Sequence, residues 1–149
     1  MNEQILDAPA DVGKKLQYAG FWIRVGAYLI DAIILWLANF AVMLVFLGGG
    51  GFTAMSTNIP VQIVLGVAGI AYFTIMESSS KQATVGKMAV GVKVGTETGQ
   101  RISFPNALGR YFAKILSALI LLIGFFMVGF DSKKQGLHDK LAKTYVFYA

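Results

Sequence analysis

Arg24 and Asp31 are the residues whose type and setting point most directly to chemistry. Both lie inside FWIRVGAYLIDAIILWLANFAVMLVFL (21–47). About 20 apolar residues at 1.5 Å rise cross a ~30 Å hydrocarbon core, so this run reads as a membrane-spanning helix. An ionised side chain inside such a helix costs at least about 2.5–3.5 kcal/mol on insertion scales. Two uses fit groups kept at that cost. One is a proton or cation site, in which burial raises a carboxylate's pKa, a nearby cation lowers it, and Na⁺ or H⁺ exchanges for the cationic partner. The other is a charge-paired network that fixes helix packing and moves no ion.

Seven residues separate the pair, about 20° around the helix and ~10.5 Å along it. They share a face but are too far apart to neutralise each other. Tyr28 lies between them on the same stripe, where its hydroxyl could bridge. Each ion therefore needs a partner from another segment. Lys114 is the first candidate for Asp31. Asp139 is the candidate for Arg24, provided the C-terminal tail lies on the side of the first span's inner end. The candidate polar or ion site is thus Arg24, Tyr28, Asp31, Lys114 and Asp139.

Other chemistries are set aside. The chain has no cysteine and one histidine, which excludes thiol catalysis, disulfides and a multi-histidine metal site within one chain. His138 and Asp139 are sequence neighbours whose side chains point apart, with no nucleophile near. His138 reads as capping or packing at the membrane interface. Gly86-Lys87 fails the GxxxxGK[ST] phosphate loop, since Lys81 stands at the first glycine and Met88 at the hydroxyl position. No cofactor and no enzymatic activity are expected. The net charge of +5 could suggest nucleic acid, but the basic residues flank hydrophobic spans, where they set topology and meet anionic headgroups.

The elements that must position these residues are largely apolar. Apolar residues make up 56% of the 149, above the ~45–50% of a soluble domain, and the mean hydropathy is +0.62. The excess falls in 21–47, 59–76 and 104–130. Residues 1–17 read as a polar N-terminal tail, too long and too mixed in charge for a signal peptide, and 18–149 as one membrane domain. A flexible linker, GGGGFTAMSTN (48–58), leads to the second span, IPVQIVLGVAGIAYFTIM (59–76), whose proline suits a first helical turn. Gln62, Gly66, Gly69 and Phe73 form a stripe there that lets a neighbouring helix approach. In the third run, Asn106, Arg110, Lys114, Ser117 and Gly124 share a face that should turn from lipid. Glu77 and Asp131 close spans and are expected to face water. Trp22 and Tyr18 read as interface anchors.

Between the second and third runs, Val90, Val92 and Val94 alternate with Gly91 and Lys93, and GTETGQ is turn-like. A short β-hairpin over about 89–104 follows, with KTYVFYA as an added third strand. Lysines and arginines are absent from 48–58 and recur in 77–103 and 131–149. The positive-inside rule then puts the N-terminus, 77–103 and the hairpin in the cytoplasm. The third run either crosses once or breaks near Leu119–Gly124 and returns as a helical hairpin, which keeps the basic tail inside.

Three blocks, FWIRVGAYLIDAIIL (21–35), SSKQATVGKMAVGVKV (79–94) and QGLHDKLAKTYVF (135–147), resemble the RDD family of membrane proteins. With the intervening spans the resemblance covers about residues 18–148. The arginine and two aspartates for which the family is named match Arg24, Asp31 and Asp139. Lys143 stands where the family often has glycine. The resemblance implies an integral protein of a bacterial plasma (inner) membrane with three or more spans, and a transport role including cation/proton exchange. The expectation is therefore an all-α membrane protein with two transmembrane helices, a third long apolar segment and a small β-hairpin. Three short spans hardly enclose a pathway, which favours a membrane scaffold or an assembly or partner-binding role. The alternative is a homo-oligomeric Na⁺/H⁺-type transporter using Asp31. The expected partners are the lipid bilayer, further copies of the chain, other membrane proteins and Na⁺ or H⁺.

Overall fold

The computed structural model describes residues 16–46, 57–119 and 123–149. Most of the N-terminal tail and of the glycine-rich linker lie outside the described residues. Two long helices dominate, α1 (Phe21–Phe46) and α2 (Ile59–Ser78). Asn58 caps α2 by accepting from the Val61 N–H, and Pro60 sits in its first turn. Both helices are long and apolar enough to cross a membrane. Their side chains point outward: Ile33, Trp36, Leu37, Phe40 and Val45 of α1 are exposed, as are Ile63, Val64 and Val67 of α2. Apolar patches of that extent are incompatible with water and suit lipid.

A short helix α3 (Val85–Ala89), capped by Thr84, leads into strand β1 (Val92–Gly95). The third apolar run holds α4 (Phe104–Leu119) and α5 (Ile123–Phe130); residues 120–122, where a break was expected, lie outside the described residues. Then come α6 (Leu137–Leu141) and β2 (Tyr145–Tyr148). Helix α4 is polar on its inner side and apolar outside. Arg110 and Ser117 are buried while Phe104, Phe112, Ile115 and Leu119 are exposed. The chain leaving α5 returns to the N-terminal part of α1, where the Lys134 carbonyl accepts from Arg24.

The sheet differs from the hairpin expected over 89–104. β1 pairs antiparallel with the C-terminal strand β2, Val94 opposite Val146. The segment 101–103 is not its partner, because the other edge of β1 is already occupied. The Val94 N–H donates to the Gln82 carbonyl at 2.7 Å, and the Gln82 amide donates to the carbonyls of Val94 and Gly99. Ser103 instead caps α4 through the Asn106 N–H, and Ile102 drops into the core. Gly95 is required at the crossing, since a Cβ there would lie 2.7 Å from the Gln100 carbonyl oxygen. The incoming chain joins β2 on its free side, through Ala19 N–H to Val146 and Tyr148 N–H to Gln17. Val92, Val94 and Val146 then share one face with Ala19, Ile102 and Ala107, a small core below the helices.

Candidate functional site

Asp31, fully buried on α1, is held without a cation among its described contacts. One oxygen accepts from the Tyr72 hydroxyl and the Gly86 N–H, each at 2.8 Å, and the other from the Thr84 hydroxyl at 2.5 Å. Tyr72 comes from α2, and Thr84 and Gly86 from the start of α3, so one carboxylate ties three elements. Three converging donors satisfy both oxygens of a buried charge. Tyr72 also accepts from the Val85 N–H, which fixes the phenol between α2 and α3. Only glycine fits at position 86: a Cβ would lie 2.1 Å from the Ala27 carbonyl oxygen and 2.8 Å from the Asp31 carboxyl carbon. Close helix approach thus occurs here. On the stripe expected to pack, Phe73 meets the Tyr111 ring of α4 at 6.0 Å, but a methyl added at Gly66 or Gly69 would meet nothing within 4 Å.

A second cluster is ionic. Arg24 donates to the Ala19 carbonyl at 3.0 Å and to Asp139 at 2.5 Å. Asp139 receives Arg110 on its other oxygen, at 2.7 and 2.9 Å, and accepts the Gly136 N–H at the start of α6. Arg110 extends to Glu77 at 2.8 Å. Glu77 also binds Lys87 and, at 3.1 Å, Lys114. The chain Arg24–Asp139–Arg110–Glu77–Lys87 is therefore continuous and buried, and it joins α1, α2, α3, α4 and α6.

Two groups in the non-spanning segments show its electrostatics. Burial opposes ionisation of Asp139, but Arg110 and Arg24 outweigh it and hold the carboxyl well below the usual carboxylate range. Burial, with Arg110 and Lys114 nearby, depresses His138 to about 3 despite Asp139 at 3.5 Å, so this imidazole is neutral.

Of the five residues expected at the site, Arg24 and Asp139 are brought into contact. Lys114 is not the partner of Asp31, because Glu77 captures it; Asp31 is occupied by neutral donors instead. Tyr28 does not bridge Arg24 and Asp31. Its ring lies beside the ammonium groups of Lys87 and Lys114, 5.7 and 5.3 Å from its centroid. Glu77 does not face water: it is buried at the centre of the ionic chain. Asp131 accepts the N–H groups of Lys133 and Gln135 and pairs with Lys140 at 2.6 Å. His138 is buried within the polar cluster. Tyr72, Thr84, Gly86, Glu77, Lys87 and Arg110 were not placed at the site by sequence reasoning. Arg110 was legible on the inward stripe of the third run. The other five lie at the end of α2 and in the 84–87 segment, where spacing alone carries no signal of the fold-back. Among the described residues no acidic or histidine group is arranged to hold a metal.

Outward apolar helices over an inward polar network define an integral membrane protein that would sit in a lipid bilayer. The chain belongs to the RDD family, which it matches over residues 18–143. It is similar to the uncharacterized protein YxaI of Bacillus subtilis, 38% identical over 87% of this chain and 97% of that protein. It is also similar to the uncharacterized membrane protein YteJ of the same organism, 33% identical over 88% and 81%. A proline-rich antigen homolog of Mycobacterium tuberculosis matches at 36% identity over 56% of this chain and 37% of its own length. No solved structure matches.

Proposed function

We propose that this protein is a non-enzymatic membrane scaffold, an assembly or partner-binding module of the bacterial inner membrane. The observation that carries the reading is Asp31. A fully buried carboxylate whose oxygens are filled by Tyr72, Thr84 and Gly86 acts as a lock between α1, α2 and α3. The ionic chain through Arg110 extends the same locking to α4 and α6. The exposed apolar faces of α1, α2 and α4 supply the surface for lipid, for other membrane proteins and for further copies of the chain.

The N-terminus, the 77–103 segment and the tail are assigned to the cytoplasmic side. The contact of Arg24 with Asp139 and Lys134 supports a shared side, since it brings the chain after α5 back to the N-terminal end of α1, as a third apolar run that enters and returns rather than crossing once would do. Thiol labelling of Ser132→Cys from either side of the membrane tests that topology.

The scaffold reading is tested by Asp31→Asn in detergent-purified full chain. The expected result is a lower unfolding midpoint together with altered oligomer size by light scattering. An unchanged midpoint and unchanged assembly would remove the reading's support.

A second reading is a cation/proton exchanger centred on Asp31. Two of the donors on Asp31 are hydroxyls, which can rotate and present lone pairs to Na⁺ beside the carboxylate. That reading requires an oligomer and measurable flux.

A further inference from the structure

The ionic chain holds more positive than negative charge. Among the described residues, Arg24, Arg110, Lys87 and Lys114 pair with the carboxylates of Glu77 and Asp139; Asp31, bound by the Thr84 hydroxyl that also accepts from the Lys87 backbone N–H, adds a third carboxylate nearby. His138 contributes none, being neutral. An enclosed cation in excess of its counter-ions is costly, and the cost is relieved when one cation gives up a proton. Guanidinium groups do not. Of the two lysines, Lys114 keeps a little solvent contact on its side chain whereas Lys87 is buried.

We propose that Lys87 is the proton-exchanging group of this network, a site that binds and releases H⁺ and couples it to the docking of α3. Every element around it contributes to the balance. Glu77 of α2 faces its ammonium group directly. Arg110 and Lys114 of α4 crowd the same carboxylate. From α1 come the Tyr28 ring, 5.7 Å from the ammonium group, and Asp31, whose Thr84 donor accepts from the Lys87 backbone N–H. Asp139 and His138 of α6, and Arg24 behind them, act through Arg110. Burial lowers the Lys87 ammonium to about 7; Glu77 opposes the fall and Arg110 and Lys114 add to it. The coupling follows from position: Thr84 and Gly86, within three residues of Lys87, supply two of the three bonds on Asp31. A change of charge at Lys87 is therefore felt where α3 is pinned to α1.

The sign is fixed by the unfolded value near 10.5. Above it both states are neutral. As pH falls from there through about 7, the unfolded chain takes up the proton first and the fold loses stability; below 7 the loss is complete.

The test is carbon-13 NMR of the lysine ε-carbons in the full chain in micelles, titrated from pH 5 to 11, with Lys87→Arg used to assign the signal. One lysine signal with a midpoint below 9, absent in Lys87→Arg, is expected. Every lysine titrating above 9 would overturn the proposal. If Lys87→Arg does not fold, Lys87→Gln assigns the same signal, and the wild-type titration still decides. Unfolding midpoints give the coupling: wild type should gain stability from pH 7 to 10, and a foldable Lys87 variant should lack that gain. Equal gains in both proteins would overturn the coupling to α3.

Discussion

Asp31 and Asp139 are both fully buried, yet the two regions around them hold a carboxylate by opposite means. Around Asp31 the donors are two hydroxyls and one backbone N–H, delivered by α2 and α3. Around Asp139 they are two guanidinium groups and one N–H, delivered by α1, α4 and α6. The first arrangement depends on shape, since its donors are short and Gly86 must pass within van der Waals contact of α1. The second depends on charge, since long arginine side chains reach one another from separate elements. A buried carboxylate can thus be a steric lock or an ionic hub within one small domain.

The ionic region should break hardest. Asp139→Asn leaves Arg24 and Arg110 short of an anion, and removing one partner of a buried ion pair costs about 3–5 kcal/mol. Chemical denaturation in micelles should show that loss. The steric region has its own extreme in Gly86→Ala, which drives a methyl into the Ala27 carbonyl. Overpacking predicts about 3 kcal/mol in the same assay. A smaller loss than for a control Gly66→Ala, which meets open space, would contradict the steric account. Asp31→Asn keeps the size and loses the charge. Its new amide faces donors with donors, costing about 2 kcal/mol, less than Asp139→Asn. Equal losses at the two aspartates would erase the distinction.

A pH scan separates the regions further. His138 sits beside Asp139 and is depressed to about 3 from 6.5. On acidification the unfolded chain protonates first, so stability falls from pH 6.5 towards 3. Between 6.5 and 5.5 the loss is about 1 kcal/mol, and His138→Gln should abolish that slope. The smallest effect belongs to the exposed pair of Lys133 and Glu97. Glu97→Gln should leave the melting temperature unchanged.

The same contrast explains what the sequence revealed. The two long helices were legible because their apolar runs exceed any soluble need, and Arg24 and Asp31 stood out as charges within one of them. The meeting of Arg24 and Asp139 followed from side: basic tail and inner helix end belong together. The pairing of Lys114 with Asp31 did not materialise, because a second carboxylate at the end of α2 competes for it. Glu77 reads as a polar helix end by position, and the fold-back of 79–91 together with α4 encloses it. The hairpin was misplaced for a related reason. The alternating valines mark β1 correctly, but Gln82 takes one edge and the far C-terminal strand the other, and neither is visible in local periodicity.

The scaffold account rests on Asp31 being a lock rather than a conduit. Flux of Na⁺ and of protons across proteoliposomes holding the wild-type full chain, driven by an imposed gradient, tests this most directly. The account predicts rates equal to those of protein-free vesicles. Flux above that level, lost in a folded Asp31→Asn protein, would contradict it.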